Sequence, residues 1–65
     1  MIADDRQLEV TRRRIREFQD LLVRLRRSES AENYAAQAPA YLLEIDKMNE
    51  EVRQYFVSSS AASAG

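Results

Sequence analysis

Two stretches of the chain carry apolar residues at alternating steps of three and four. The first stretch, in which one member is polar, comprises Leu8, Thr11, Ile15, Phe18, Leu22 and Leu25. The second comprises Ala31, Tyr34, Ala38, Tyr41, Ile45, Met48, Val52 and Tyr55. Because this spacing keeps one side of an α-helix apolar, as in a coiled-coil seam, it predicts two amphipathic helices, at about residues 4–27 and 31–57.

The residues at the helix ends agree with this division. Asp4 or Asp5 can cap the start of the first helix, because a carboxylate there accepts hydrogen bonds from free backbone amides. Residues 28–30, Ser-Glu-Ser, interrupt the apolar pattern and predict a turn, with Ser28 or Ser30 capping the second helix.

The second helix contains one residue that helices disfavour, Pro39. Inside a helix its ring removes a hydrogen bond and clashes with the preceding turn, at a cost of about 3 kcal/mol. Either the helix bends there and continues, or the main helix starts at Pro39. The apolar positions keep one phase from Ala31 to Tyr55, which favours the bent continuous helix. Residues 58–65 are only Ser, Ala and Gly and are predicted to form a disordered tail.

Two helices of similar length joined by a three-residue link predict an all-α fold, an antiparallel two-helix hairpin. One seam between two helices has too little room for all the apolar side chains, so we expect a homodimer that forms a four-helix bundle. A different protein partner is the alternative. The residues predicted for the core and the oligomer interface are Leu8, Ile15, Phe18, Leu21, Leu22, Leu25, Tyr41, Leu42, Ile45, Met48, Val52 and Phe56.

Composition narrows the function further. The chain of 65 residues has no His, Cys or Trp, and its one glycine is Gly65. The usual general base, thiolate nucleophile, zinc ligands and phosphate-binding glycine loops are therefore missing, and we expect no catalysis, no cofactor, no metal and no small-molecule substrate. The sequence predicts a non-enzymatic protein–protein interaction module.

Charge is distributed unevenly along the chain. The net charge is −1, but residues 1–28 sum to +3 and residues 29–57 to −4. Arg12, Arg13 and Arg16 are candidate contacts to nucleic acid, which is an alternative function. Successive residues of a helix point about 100° apart, so the consecutive Arg12, Arg13 and Arg14 do not form one stripe, and pairing with acids of the second helix is favoured instead.

The sequence also bears on where the protein acts. No apolar run approaches the roughly 20 residues that a bilayer requires, so we expect no membrane span. Asp4, Asp5 and Arg6 lie where the apolar part of a signal peptide would begin, which predicts a cytoplasmic protein.

The opening of the chain resembles a known bacterial family. Residues 1–12, with Asp5-Arg6-Gln7 as the most specific part, are similar to the N-terminal helical region of antitoxin-like helix-turn-helix (Xre-class) regulators. Glu51 and Tyr55 lie where that family has a Glu-x-x-x-Tyr end to its second helix, so the resemblance covers residues 1–57. Residues 58–65 stand where the family has its DNA-binding domain, so the resemblance implies helix-mediated association rather than DNA binding.

A second similarity is of shape only. Type III secretion co-chaperones are helical hairpins of similar length that hold a partner by an apolar face. This likeness implies the remaining alternative function, a small helical-hairpin chaperone for a different protein.

Overall fold

The computed structural model describes the backbone of residues 1–64 and the side chains of residues 1–58. It contains two helices, α1 (Asp5–Ser28) and α2 (Ala31–Ala64), which pack against each other, and the described residues form no strand. The predicted all-helical class is therefore confirmed. The molecule is a rod with extents of 52 × 17 × 13 Å.

Hydrogen bonds between side chains and backbone define the start of α1. A carboxylate oxygen of Asp4 accepts from the backbone amide of Gln7 at 2.9 Å, and the Gln7 side-chain oxygen accepts from the Ala3 amide at 2.8 Å. This arrangement satisfies amides that have no partner within the helix. Of the two predicted caps, Asp4 is the one used.

The link between the helices is a short extended segment. The Glu29 amide donates to the Leu25 carbonyl at 2.9 Å and closes α1. The Ser30 hydroxyl oxygen accepts from the Asn33 amide at 3.1 Å, and the Ser30 carbonyl accepts from the Tyr34 amide at 2.9 Å. Ser30 is therefore the cap of α2, one of the two serines that the sequence indicated.

The second helix contains Pro39 in its interior and continues through it. Of the two alternatives, the structure has the uninterrupted helix. It also extends to Ala64, so the predicted end at residue 57 is too early. After Pro39 no glycine or proline precedes Gly65, and alanine is the strongest helix former. The side chains of residues 59–64 and all of Gly65 lie outside the described residues, so disorder of the Ser/Ala tail stays a prediction.

The core is a small cluster between the helices. Leu22, Ala38, Ile45 and Met48 are buried, and half-buried side chains surround them: Ile15, Phe18, Tyr34 and Tyr41. No large side chain in the described part is removed completely from water. Because buried apolar area is the main stabilising term, a core of this size makes a lone chain marginally stable.

Asp4→Ala tests the cap. The variant leaves the Gln7 amide without its partner and is expected to lower the free energy of unfolding by about 1 kcal/mol, which thermal denaturation followed by circular dichroism would detect. Asp20→Ala, an exposed substitution inside α1, is the control and should not lower stability. Equal loss in both variants would contradict the role of Asp4.

Candidate self-association surface

The structure places the twelve predicted core and interface residues in three groups. Four of them are buried: Leu8, Leu22, Ile45 and Met48. Six are half-buried: Ile15, Phe18, Leu21, Leu25, Tyr41 and Val52. Two of the twelve remain exposed: Leu42 and Phe56. The last two therefore do not belong to the core of a single chain.

Two buried residues are absent from the predicted list. Ala38, which is 4% exposed, belongs to the apolar repeat of α2 but was not included. Ile2, which is 7% exposed, precedes α1. It lies outside the helical repeat, so the heptad pattern could not include it. An apolar residue shortly before an N-cap, combined with apolar Leu8 one turn after that cap, is a signal that could have found it.

Leu42 and Phe56 lie on one line along α2 with Asn49 between them, because these residues are seven positions apart. The guanidinium of Arg12 lies over the Phe56 ring, 5.8 Å from its centroid. On the same side of the molecule, a groove of about 300 Å³ lies between the two helices. It is lined by Arg12, Ile15, Arg16, Gln19, Asn49 and Val52.

We call this side of the molecule the groove face. It is formed by Arg12, Arg16, Gln19 and Val23 of α1 and by Leu42, Asn49 and Phe56 of α2. Val23 follows Gln19 by one turn and extends the line on α1. Three apolar side chains of the groove face are about half exposed: Val23 at 49%, Leu42 at 47% and Phe56 at 46%. Covering the exposed half of such a side chain is worth roughly 1 kcal/mol.

The arginines of α1 do not pair as predicted. Arg12 contacts the Glu9 carboxylate at 3.3 Å within the same helix. Within the described residues, no α1 arginine lies within 4 Å of an α2 carboxylate, so the favoured pairing is wrong. Arg13 and Arg16 are exposed, like Arg12. The physical reason is that the helices meet along their apolar sides. Arg12 and Arg16 line the groove between them, but the α2 residues there are Asn49 and Val52, which carry no charge.

Three of the α2 acids have other partners. The Glu51 carboxylate lies 3.9 Å from the ammonium of Met1, which precedes α1. The other two are Glu44 and Glu50. A carboxylate oxygen of Glu44 lies 3.7 Å from the Lys47 ammonium. The Glu50 carboxylate accepts a hydrogen bond from the side-chain amide of Gln54 at 2.9 Å. Both contacts join residues of one helix, so they do not link α2 to α1.

A larger cavity, of about 690 Å³, lies beside the residues that precede α1. Its lining combines apolar Ile2 with the carboxylate of Glu51 and the ring of Tyr55. The Tyr55 hydroxyl donates to the Asp5 carboxylate at 2.5 Å, a hydrogen bond between the two helices. This contact holds the start of α1 against α2.

Two features were sought in the described part of the chain, a membrane-spanning helix and a metal-binding group of side chains, and neither is present there. Neither helix there is both long enough and apolar enough to cross a membrane. Likewise, residues 1–58 place no group of three or more acidic, His or Cys side chains where it could hold a metal ion. Comparisons with protein-family models, curated proteins and solved structures found no match.

Proposed function

We propose that the chain is a non-enzymatic self-association module. Its two helices form an antiparallel hairpin, and the groove face packs against a second copy to make a four-helix bundle. The observation that carries the proposal is the exposure of Leu42, Phe56 and Val23, each close to one half, along one side of a molecule with a small core.

Contacts between the helices support the antiparallel arrangement. Asp5 and Arg12, early in α1, contact Tyr55 and Phe56, late in the described part of α2. Further along α1, Phe18 instead packs against Tyr41. Residue numbers on α2 therefore fall as those on α1 rise, which is the pattern of an antiparallel pair.

The dimensions of the groove face suit a dimer. At 1.5 Å per residue α1 is about 36 Å long, and the pair of helices is 17 Å wide. Covering this face would bury at least about 600 Å² on each copy, and the total of about 1,200 Å² reaches the lower end of stable interfaces. Small domains without disulfides or metals commonly gain their missing stability in this way.

The resemblance of residues 1–57 to the N-terminal region of antitoxin-like regulators supports the same proposal. Association through helices is the one property that this resemblance implies for the present chain. A regulatory or antitoxin-like accessory role is accordingly the setting that we propose for the dimer.

Sedimentation equilibrium of a groove-face variant tests the proposal. The wild-type chain is expected to be a dimer at micromolar concentration. Leu42→Ser/Phe56→Ser should raise the dissociation constant by about 100-fold, because it removes two apolar side chains of each copy from the interface. At protein concentrations above this dissociation constant, circular dichroism should show both helices, since the two side chains are outside the core. Below it the helical signal should fall, because a lone chain is only marginally stable.

The matched control moves each substitution by one residue. Leu43 and Val57 are 56% and 52% exposed and lie about 100° around α2 from the groove face. Leu43→Ser/Val57→Ser should change the dissociation constant by less than about threefold. A wild-type chain that stays monomeric, or equal weakening by both double variants, would refute the proposal. A monomer would direct attention to a different protein partner.

A further inference from the structure

We infer how the second copy binds: α1 of each chain lies along α2 of the other, so that helices of opposite charge become neighbours. This inference rests on the proposed self-association. It adds the orientation of the partner on the groove face, which neither the exposed apolar side chains nor the size of the face determines.

The two helices differ in sign of charge. Eight arginines and four acids give α1 a net charge of +4, and two basic and five acidic residues give α2 a net charge of −3. The two totals nearly cancel, so the whole molecule has a net charge of −1. The charge is therefore separated across the width of the rod.

The separated charges are not neutralised between the helices of one chain. In the described residues, the one ion pair of an α1 side chain joins Arg12 to Glu9, both in α1. Seven of the eight α1 arginines have no carboxylate from residues 1–58 within 4 Å. A second molecule that brings acidic side chains beside α1 would supply what the chain does not supply to itself.

Two symmetric ways exist to stack two hairpins through the same face. A two-fold axis parallel to the helices places each α1 over the other copy's α2. A two-fold axis across the helices places α1 over α1 and α2 over α2. Packed helices are about 8–10 Å apart, close to the Debye length of about 8 Å at physiological ionic strength, so the net charges of neighbouring helices interact.

The charges favour the first arrangement. On the groove face the charged side chains are Arg12 and Arg16, both on α1. The first arrangement places these arginines over α2 of the other copy, a helix of net charge −3, whereas the second places the arginines of both copies, on helices of net charge +4, side by side. A two-fold axis parallel to the helices also leaves each residue at the same position along the length of the rod in both copies. Gln19 and Asn49 line one groove within a chain, so Gln19 of one copy comes opposite Asn49 of the second copy.

Single cysteines test this orientation cleanly, because the chain has none of its own. Gln19→Cys and Asn49→Cys chains are mixed in denaturant, refolded together and oxidised, and the disulfide-linked products are weighed by mass spectrometry. The inferred orientation predicts that the mixed product exceeds each homodimeric product by at least about tenfold, because a disulfide requires Cα atoms within about 7 Å. Lys47→Cys, on the opposite side of α2, replaces Asn49→Cys in the control and should not link to Gln19→Cys.

The change in dimer affinity with salt concentration gives an independent test, because the two orientations predict changes in opposite directions. If opposite charges adjoin, raising NaCl from 50 to 500 mM should weaken the wild-type dimer several-fold in sedimentation equilibrium. If like charges adjoin, the same change should strengthen it. A stronger dimer at high salt, or a Gln19→Cys homodimer that equals the mixed product, would overturn the orientation and leave the self-association standing. A chain with no dimer at any salt concentration would overturn both.

A DNA duplex tests whether the unpaired arginines of α1 bind nucleic acid instead of a second copy of the chain. A 20-base-pair DNA duplex of mixed sequence, added at 50 mM NaCl, should leave the dimer unchanged. Binding of that duplex at micromolar affinity, with steep salt dependence and loss of the dimer, would assign the arginines to phosphate and overturn the inferred orientation.

Discussion

Replacing Ile45 by Asp is expected to abolish the helical fold and the proposed dimer in a single step. Ile45 is 5% exposed and lies in the buried cluster with Leu22, Ala38 and Met48. A carboxylate at this position has no cationic partner there, and burying an unpaired charge costs several kcal/mol. That cost exceeds the roughly 3–5 kcal/mol that a single small core provides.

The measurement is far-UV circular dichroism together with sedimentation equilibrium on the same samples. We expect the Ile45→Asp chain to lose most of its helical signal at 25 °C and to sediment as a monomer. Leu43→Asp is the control: it introduces the same charge into the same helix at a side chain that is 56% exposed, and it should remain helical. An Ile45→Asp chain that stays folded and monomeric would show that folding does not depend on the seam.

Phe18→Ala is expected to give the second-largest effect. The Phe18 ring is half-buried against the core and meets the Tyr41 ring edge to face, with centroids 6.0 Å apart and an interplanar angle of 85°. Removing it deletes apolar contact between the helices and one aromatic pair, a loss of about 2–3 kcal/mol. For a domain of this size that loss lowers the melting temperature by roughly 10–20 °C.

Thermal melts at several protein concentrations measure this effect and its link to association. If folding and dimerisation are coupled, the melting temperature rises with concentration, and Phe18→Ala should dissociate and unfold together. Tyr41→Phe keeps both rings and should shift the melting temperature by only about 3 °C or less. A Phe18→Ala chain that is folded and monomeric at low concentration would contradict the coupling.

Most of the local structure could be predicted from particular residues. Asp4 and Ser30 are capping residue types at the places where the apolar repeat begins, so both helix starts were found to within a residue. The alternating steps of three and four also identified the buried Leu22, Ile45 and Met48. These features depend on residues close together in sequence, and local hydrogen bonding and helical periodicity are enough to predict them.

Other features could not be predicted in the same way. Leu42 and Phe56 flank the α2 seam, and periodicity cannot tell whether a flanking residue turns toward α1 or away from it. The expected pairing of α1 arginines with α2 acids failed for the same reason, because it counted charges on each helix without knowing which surface they occupy. The end of α2 was placed too early because a Ser/Ala sequence gives no strong signal for or against helix.

The sequence alone determined that this protein consists of two helices, where each begins, which side of each is apolar, and that α1 is positive and α2 negative. Only the tertiary structure decided which apolar side chains stay exposed, that Arg12 covers Phe56, and that the helices leave their opposite charges unpaired. The physical reason is rotational. Helical periodicity specifies positions around one axis, whereas exposure and pairing depend on how each helix is turned relative to the other, and packing of the whole seam sets that rotation.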